Sequence, residues 1–270
     1  MDSDKVLSDI GYLEGCGIIL SPEEKAALQT SLILEQTKNK FNRVCFWGKI
    51  QGVKRNYYIV VGIGGDQIHN RKYLSSQDCL EWGIMNHVTP DMLFKAQKVK
   101  GRFTGDPAFV YEQSESLYTQ EASGEPDSSS KIEMKEEDRL AAVVKLVEKE
   151  CSLVPRGALM KTPLDQVILN GSFEGLSEGH SHKLASYLHL REYTKIDTES
   201  SDPAFDFLET LEIDVPKGCW TLQAERGSGL VVLRSLSWIG FSAFHVPNTK
   251  KYGYLYFGTG EKNSDLPFML

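Results

Sequence analysis

The chain has 270 residues, a net charge of −7 and 41% hydrophobic residues, so it is long enough to build a hydrophobic core without disulfide or metal support. Its five cysteines are scattered and form no C-x-x-C pair, which excludes a disulfide framework or zinc ligand set and predicts a reducing compartment. The acidic charge disfavours a nucleic-acid partner, and the lack of a signal peptide or membrane-length apolar run predicts a soluble intracellular protein.

The first clear element is a helix over residues 22–37. Ser21 is a suitable N-cap, proline follows at the first helical position, and Glu24 lies three residues after the cap, which together make a capping box. Leu28 and Leu32 lie one turn apart on the face that would be buried.

Two strands follow at residues 43–50 and 57–63, and a glycine-containing turn joins them into a β-hairpin. The first strand carries apolar side chains on both faces. Shorter elements are predicted after it: a strand at 72–74, a helix near 90–96, and strands at 99–103 and 108–111. Residues 1–111 are therefore interpreted as an N-terminal half made of a helix and a hairpin.

Residues 112–138 are dominated by serine, glutamate, aspartate, glycine and proline. Such a segment buries too little apolar surface to offset the entropy lost on ordering, so it is predicted to be a mobile acidic loop. Helical periodicity returns over residues 136–150, where Leu140, Val144 and Val147 form one stripe. Further elements are an extended segment at 153–159 and helices at 177–190 and 202–211.

The densest strand pattern lies in residues 218–258. Four strands are predicted there, at 219–225, 230–236, 241–246 and 252–257. Two of them carry apolar or aromatic side chains on both faces, whereas an antiparallel sheet alone in water has one polar face. The second face must be covered by another part of this chain or by another protein. We expect more apolar strand surface than the chain covers by itself.

Together these elements predict an α+β fold. A central, mainly antiparallel sheet contains residues 219–258 and the hairpin 43–63, and three or four helices flank it. Residues 139–270 belong to the same domain as the N-terminal half, and the acidic loop 112–138 projects into solvent.

No catalytic, cofactor or metal site is predicted. Residues 62–66 are glycine-rich after a strand, but they lack the spacing of a phosphate-binding loop and are interpreted as a turn. His180 and His182 point to different sides of a helix and, with His189, do not form a metal ligand pattern. Ser228 lies between glycines but lacks the spacing of a nucleophile elbow.

Two other functions remain open at this stage. An enzyme site would require His189 or His245 to meet a carboxylate from a distant part of the chain, with a shifted pKa. A free-standing adaptor would bind acidic partners through a basic patch bracketed by Phe94 and Phe103. That patch consists of Lys95, Lys98, Lys100 and Arg102.

A protein interface is the preferred role for the aromatic strands and the apolar C-terminal tail. Large aromatic side chains that stay exposed are strong interface anchors, and an apolar chain end requires a groove, in this chain or in a neighbour. The candidate interface residues are Trp47, Trp220, Trp238, Tyr252, Tyr254, Tyr256, Leu266, Phe268, Met269 and Leu270.

Four long motifs, at residues 46–50, 100–107, 154–159 and 252–270, resemble the radial spoke head proteins of motile cilia and flagella. The resemblance covers most of the chain and thins in the first twenty residues and in the acidic loop. It implies a non-enzymatic structural subunit, without catalytic residues or cofactors, that is assembled from the cytoplasm into the axoneme and supports regulation of beating. The partners it implies are radial spoke head proteins 4 and 6, with spoke head protein 1 and stalk protein 3 nearby, and the central apparatus indirectly.

Overall fold

A computed structural model describes residues 1–3, 5–114, 131–192, 204, 207–225, 227 and 229–269. The α-helices are α1 (Val6–Ile10), α2 (Pro22–Asn39), α3 (Pro90–Lys98), α4 (Glu136–Cys151) and α5 (Glu178–Ser181). The strands are β1 (Arg43–Ile50), β2 (Tyr57–Ile63), β3 (Arg71–Ser76), β4 (Gly83–Ile84), β5 (Val110–Ser114), β6 (Lys131–Lys135), β7 (Leu153–Pro155), β8 (Leu159–Lys161), β9 (Val167–Leu169), β10 (Tyr187–His189), β11 (Trp220–Ala224), β12 (Val231–Ser235), β13 (Phe241–His245) and β14 (Tyr252–Gly258).

One eight-stranded sheet joins the two ends of the chain, in the spatial order β11-β12-β13-β14-β1-β2-β3-β4. Its neighbouring strands are antiparallel except for β1 and β14, which run parallel. The predicted α+β fold, with a mainly antiparallel sheet containing the hairpin and the C-terminal strands, is confirmed.

Both faces of the central sheet are covered by this chain. Helix α4 packs on one face, where Val144 and Val147 meet Trp47 and Tyr256. Helix α2 and the segment before it pack on the other, where Leu28 and other apolar side chains meet strands β1, β2, β3 and β14. The expectation that the chain leaves apolar strand surface uncovered is therefore wrong for the centre of the sheet, because the flanking helices supply apolar stripes that fit both faces.

Helices α2 and α4 agree with the predicted helices at 22–37 and 136–150. The capping box forms as expected: the backbone N–H of Glu24 donates to the hydroxyl of Ser21 at 3.1 Å, and the N–H of Ser21 donates to the Glu24 carboxylate at 2.8 Å. The predicted helix near 90–96 is α3.

The helix predicted at 177–190 is wrong. This segment contains only the single turn α5, a 3₁₀ turn at Leu184–Ser186 and strand β10. Strand β10 pairs with β7, so backbone pairing to a distant segment overrides the helical spacing of its apolar residues. Of the helix predicted at 202–211, residues 207–210 are not helical, and most of the remainder lies outside the described residues.

Of three other predictions, one strand is wrong and two segments differ in their bounds. Residues 99–103 form no strand and make only an isolated bridge between Phe103 and Gly52. The strand predicted at 108–111 is β5, and it pairs with β6. Residues 112–114 and 131–138 of the predicted acidic loop therefore belong to β5, β6 and α4, whereas residues 115–130 lie outside the described residues.

Candidate functional site

Within the described ranges, no group of three His, Cys, Asp or Glu side chains is placed to hold a metal ion. His180 and His182 are exposed, whereas His189 is buried, so the structure does not bring these three histidines together. No helix among the residues that the structure describes is long and apolar enough to cross a membrane.

His189 does meet a carboxylate, as the enzyme alternative required. Its Nε2 lies 2.9 Å from both oxygens of Asp214, and the indole N–H of Trp220 donates to the same carboxylate at 2.7 Å. Burial raises the pKa of Asp214, but the bond to His189 and the bond from Trp220 outweigh burial and lower it. Asp214 borders a cavity of about 440 Å³ that His189 does not line. The pair therefore fastens the 3₁₀ turn at Leu211–Ile213 to β10 and β11, without an accessible imidazole.

His245 is also buried, and its ring nitrogens bond only to backbone. Nε2 accepts from the N–H of Leu176 at 3.1 Å, so the protonated Nδ1 faces the carbonyl oxygen of Lys251 at 3.1 Å. Burial lowers the pKa of His245. This side chain connects β13 to the 174–176 segment and to the following turn, and it meets no carboxylate in these bonds.

Half of the ten predicted interface residues are buried inside the chain. Trp47, Trp220, Trp238, Tyr256 and Leu266 are buried, Tyr252 and Tyr254 are half-buried, Phe268 and Met269 are exposed, and Leu270 lies outside the described residues. The buried side chains have no surface to offer a partner in this folded form, so direct contact is left to the exposed members of the set.

Glu148 on α4 holds the buried Trp47 and the half-buried Tyr254 in place. Its carboxylate accepts from the indole N–H of Trp47 at 2.6 Å and from the hydroxyl of Tyr254 at 2.8 Å, and it pairs with the guanidinium of Arg71. The Arg71 and Glu148 side chains are both almost fully buried. Glu148 therefore links α4 to β1, β3 and β14, and sequence reasoning missed it because its partners are distant in the chain.

Glu150, two residues further along α4, connects the helix to the tail. It accepts from the indole N–H of Trp238 at 2.7 Å and pairs with Lys262 at 2.8 Å. Asn263 then bonds to the turn between β12 and β13, with its backbone N–H donating to Ser237 O at 2.8 Å. These bonds hold the start of the tail against its own sheet.

The tail divides into a buried and an exposed part. Leu266 is 3% exposed and belongs to the core cluster beneath α4. Two residues further on, Phe268 is 90% exposed and Met269 is 71% exposed. The groove expected for the tail is thus partly in this chain: it accommodates Leu266 but not Phe268 or Met269.

The cavity of about 440 Å³ beside Asp214 lies next to the tail. The exposed Val215 and Pro267 line it together with the buried Trp238 and Leu266. Val215 is 86% exposed, and Ile239, directly after the lining Trp238, is also exposed. We call the exposed set of Val215, Ile239, Phe268 and Met269 the tail patch. Sequence reasoning missed Val215 and Ile239 because single apolar residues in turns carry no periodic signal.

The predicted basic patch is only partly assembled. Phe94 is exposed, and the Lys98 ammonium lies 4.1 Å from the centre of its ring. Phe103, the other bracketing aromatic, is buried beneath the guanidinium of Arg139, which lies 4.4 Å from its ring centre. Lys95, Lys100 and Arg102 are exposed, so the patch keeps its charges but only one accessible ring.

Comparison with known proteins adds a family to this geometry. Residues 1–67 match the radial spokehead-like protein family. The chain is 44% identical over 276 residues to the radial spoke head protein 9 homolog of Homo sapiens and to that of Mus musculus, and 43% identical over 279 residues to that of Danio rerio. Each comparison covers 100% of both chains. Similarity of this degree over the whole length shows that the chain belongs to the radial spoke head protein 9 family.

Proposed function

We propose that this chain is a non-catalytic structural subunit of the radial spoke head in the axoneme of cilia and flagella. It assembles with the related spoke head proteins 4 and 6, with spoke head protein 1 and stalk protein 3 nearby. Through that assembly it supports the regulation of beating by the central apparatus. Full-length similarity to radial spoke head protein 9 homologs is the observation that carries this proposal.

The tail patch supports the assembly role. Phe268 and Met269 leave most of their apolar surface in water, and Val215 and Ile239 add to the exposed set. Exposed clusters of large apolar side chains on a folded protein are typical of protein interfaces. A stable interface covers about 1,200 Å² or more in total, so this patch would form the apolar centre of a wider contact surface.

The buried aromatics contribute indirectly. Glu150 bonds to Trp238 and Lys262, and Leu266 packs in the core, so the bonded part of the tail presents Phe268 and Met269 at a defined place. A surface that is ordered before binding loses less conformational entropy when the partner docks. This ordering favours a permanent structural contact.

Point variants test the proposal without removing Leu266, which a truncated tail would lose from the core. The chain carrying Phe268→Asp and Met269→Asp is co-expressed with spoke head protein 4, and the complex is recovered by affinity and size-exclusion chromatography. We expect a folded chain with an unchanged melting temperature and at least about tenfold weaker binding, because an interface anchor contributes about 2 kcal/mol or more.

Leu164→Asp is the matched control, because Leu164 is also an exposed apolar residue and lies in the turn between β8 and β9. Undiminished recovery of the complex with the double variant would remove the tail patch from the interface. Failure of the wild-type chain to bind any of spoke head proteins 1, 4 and 6 would overturn the assembly role itself.

A further inference from the structure

A second concave surface lies on another part of the molecule, between helix α4 and the β3–β4 edge of the sheet. Its cavity measures about 730 Å³. Ala141, Lys145 and Lys149 of α4 form one wall at helical i, i+4 spacing, and residues 71–73 of β3 form the other. Residues 84–88, with Leu93 of α3, close one end. We call this surface the α4–β4 groove.

The floor and the edge of this groove are apolar. Leu146 is buried at its base, whereas Tyr73, Met85 and Leu93 are half-buried and pack against the core. Ile84 is 60% exposed although it lies in strand β4. No strand among the described residues pairs with the outer edge of β4, the last strand of the sheet. The groove therefore offers apolar surface next to open strand backbone.

The rim of the groove is positively charged. Lys72, Lys145 and Lys149 are exposed, and within the described residues no carboxylate forms an ion pair with them. Two carboxylates also line the groove: Glu148 is buried and pairs with Arg71, whereas the exposed Glu192 lies 2.8 Å from Nδ1 of His69. With Arg71 and Arg191 also in the lining, the cationic groups outnumber these two carboxylates. On a chain whose net charge is −7, this is a local cationic rim around an apolar floor.

We propose that the α4–β4 groove binds an acidic segment of a partner protein, with apolar side chains on the floor and aspartate or glutamate side chains against the three lysines. The inference rests on the proposed assembly role and adds a contact separate from the tail patch. Complementary charge at the rim of an interface mainly increases the association rate and specificity, and apolar contact at its centre holds the complex. The net negative charge of the chain works against the alternative of a nucleic acid in this groove.

The first experiment reverses the rim charge. The full chain carrying Lys72→Glu, Lys145→Glu and Lys149→Glu is titrated against spoke head protein 4, at low salt and at physiological salt. We expect binding about tenfold weaker than wild type at low salt, and a smaller difference at higher salt because salt screens the rim charges. The fold is expected to persist, because these side chains make no ion pair among the described residues and two of them lie on the exposed face of α4.

The matched control is Lys95→Glu, Lys100→Glu and Arg102→Glu, which makes the same charge change at the other basic patch. It is expected to leave binding close to wild type. An equal loss in both variants would indicate a general charge effect, and loss in the control alone would assign the acidic partner to the other patch. Either result would overturn the groove proposal.

The second experiment identifies the occupant. A photo-reactive amino acid replaces Ile84, the complex with spoke head protein 4 is irradiated, and the linked peptide is identified by mass spectrometry. The expected product is a peptide of the partner that is rich in aspartate or glutamate and contains apolar residues. A crosslink to residues 193–203 of the same chain, to a second copy of this chain, or to a basic or neutral partner peptide would overturn the proposal.

The two proposals fail in different ways. If the wild-type chain binds, the Phe268→Asp and Met269→Asp variant does not, and the lysine variant is unaffected, then the groove inference falls and the assembly role stands. If the wild-type chain binds none of the spoke head proteins, both fall together.

Discussion

The carboxylate of Glu136 accepts a hydrogen bond from the hydroxyl of Tyr57 at 2.8 Å, although 79 residues separate them in sequence. The same buried carboxylate accepts from the backbone N–H of Thr104 at 2.8 Å and of Gly105 at 2.7 Å, and from the hydroxyl of Tyr111 at 2.5 Å. The first residue of α4 thereby holds the 104–106 loop and two tyrosines in one arrangement.

Glu136→Gln is predicted to destabilise the fold by about 3 kcal/mol or more. The amide would direct N–H donors at groups that are themselves donors and leave several of them unsatisfied. Urea unfolding measures the difference, and Glu137→Gln is the control because Glu137 is the exposed neighbour on the same helix. If Glu136→Gln were as stable as Glu137→Gln, the hydrogen bonds to Glu136 would contribute little to the stability of the fold.

The same variant tests a pH dependence. Burial raises the pKa of Glu136, but hydrogen bonds from Tyr111, Thr104 and Tyr57 outweigh burial and lower the pKa below its usual value of 4.5. A lowered folded-state pKa stabilises the fold fully above about pH 5, and this contribution is lost as pH falls through the folded value. The stability difference between wild type and Glu136→Gln is therefore expected to shrink when unfolding is measured at about pH 3.5 instead of pH 7. A difference that grows on acidification would contradict this sign.

Replacing only one partner of the buried Arg71–Glu148 pair is predicted to destabilise the fold more than replacing both partners by apolar residues. Glu148→Leu leaves the Arg71 guanidinium buried without its carboxylate and is expected to cost about 3–5 kcal/mol. The double variant Arg71→Met and Glu148→Leu is expected to recover part of that loss. Urea unfolding of the wild type, the two single variants and the double variant gives the coupling energy between the two side chains. Strictly additive effects of the two substitutions would refute the prediction.

Gly48 is predicted to be essential to the junction between the two halves of the sheet. It lies at a bulge in β1 opposite Tyr256 of β14, with φ of 151°, and a Cβ there would lie 2.1 Å from the Tyr256 carbonyl oxygen. Gly48→Ala is expected to cost about 3 kcal/mol or to prevent soluble expression. Gly15→Ala is the control, because nothing lies within 4 Å of the added methyl group. Comparable melting temperatures for the two variants would contradict the requirement for glycine.

Replacement by alanine is predicted to lower the stability of the fold strongly at Leu266 and hardly at all at Met269. Leu266→Ala removes a side chain from the core cluster and is expected to destabilise the fold by about 2–4 kcal/mol. Met269→Ala changes an exposed side chain and is expected to shift stability by less than about 0.5 kcal/mol. Thermal unfolding of the isolated chain measures both. A Leu266→Ala variant with the stability of the wild type would show that Leu266 lies outside the core in solution.

His245 is predicted to stay neutral in the folded chain at a pH where it titrates in the unfolded chain. Burial lowers its pKa from the usual 6.5, and a proton on Nε2 would face the N–H of Leu176. Its contribution to stability is therefore full above about pH 7 and falls as the pH drops below the unfolded value. Ring ¹⁵N shifts are expected to show a neutral His245 at about pH 6 in the native state and a partly protonated one in urea. Identical titration in both states would refute the prediction.

Local signals were enough for several elements. The capping box around Ser21 and Glu24 defines the start of α2, and the apolar stripe of residues 140, 144 and 147 defines the buried face of α4. The strands β11 to β14 follow from alternation and from the turns between them, because hairpin neighbours pair within a few residues. These features depend on spacing within one or two turns of chain, which a sequence displays directly.

Other features could not be predicted from local pattern. Tyr187 and Leu188 have helical spacing with Leu184, but pairing with β7 makes them a strand. The tail likewise contains several large apolar residues, and its sequence does not say that Leu266 enters the core while Phe268 stays outside. The α4–β4 groove also depends on bringing Lys72 beside Lys145 and Lys149 across the fold.

The sequence by itself determined the fold class, the capped helix α2, the amphipathic helix α4, the C-terminal strands and, through its motifs, the family. Only the tertiary structure decided which apolar residues are sealed and which remain free for a partner. The reason is that burial depends on the parallel pairing of β1 with β14 and on the two helical layers that cover the resulting sheet. The β1–β14 pairing alone joins residues about 200 positions apart, beyond the reach of any periodic pattern.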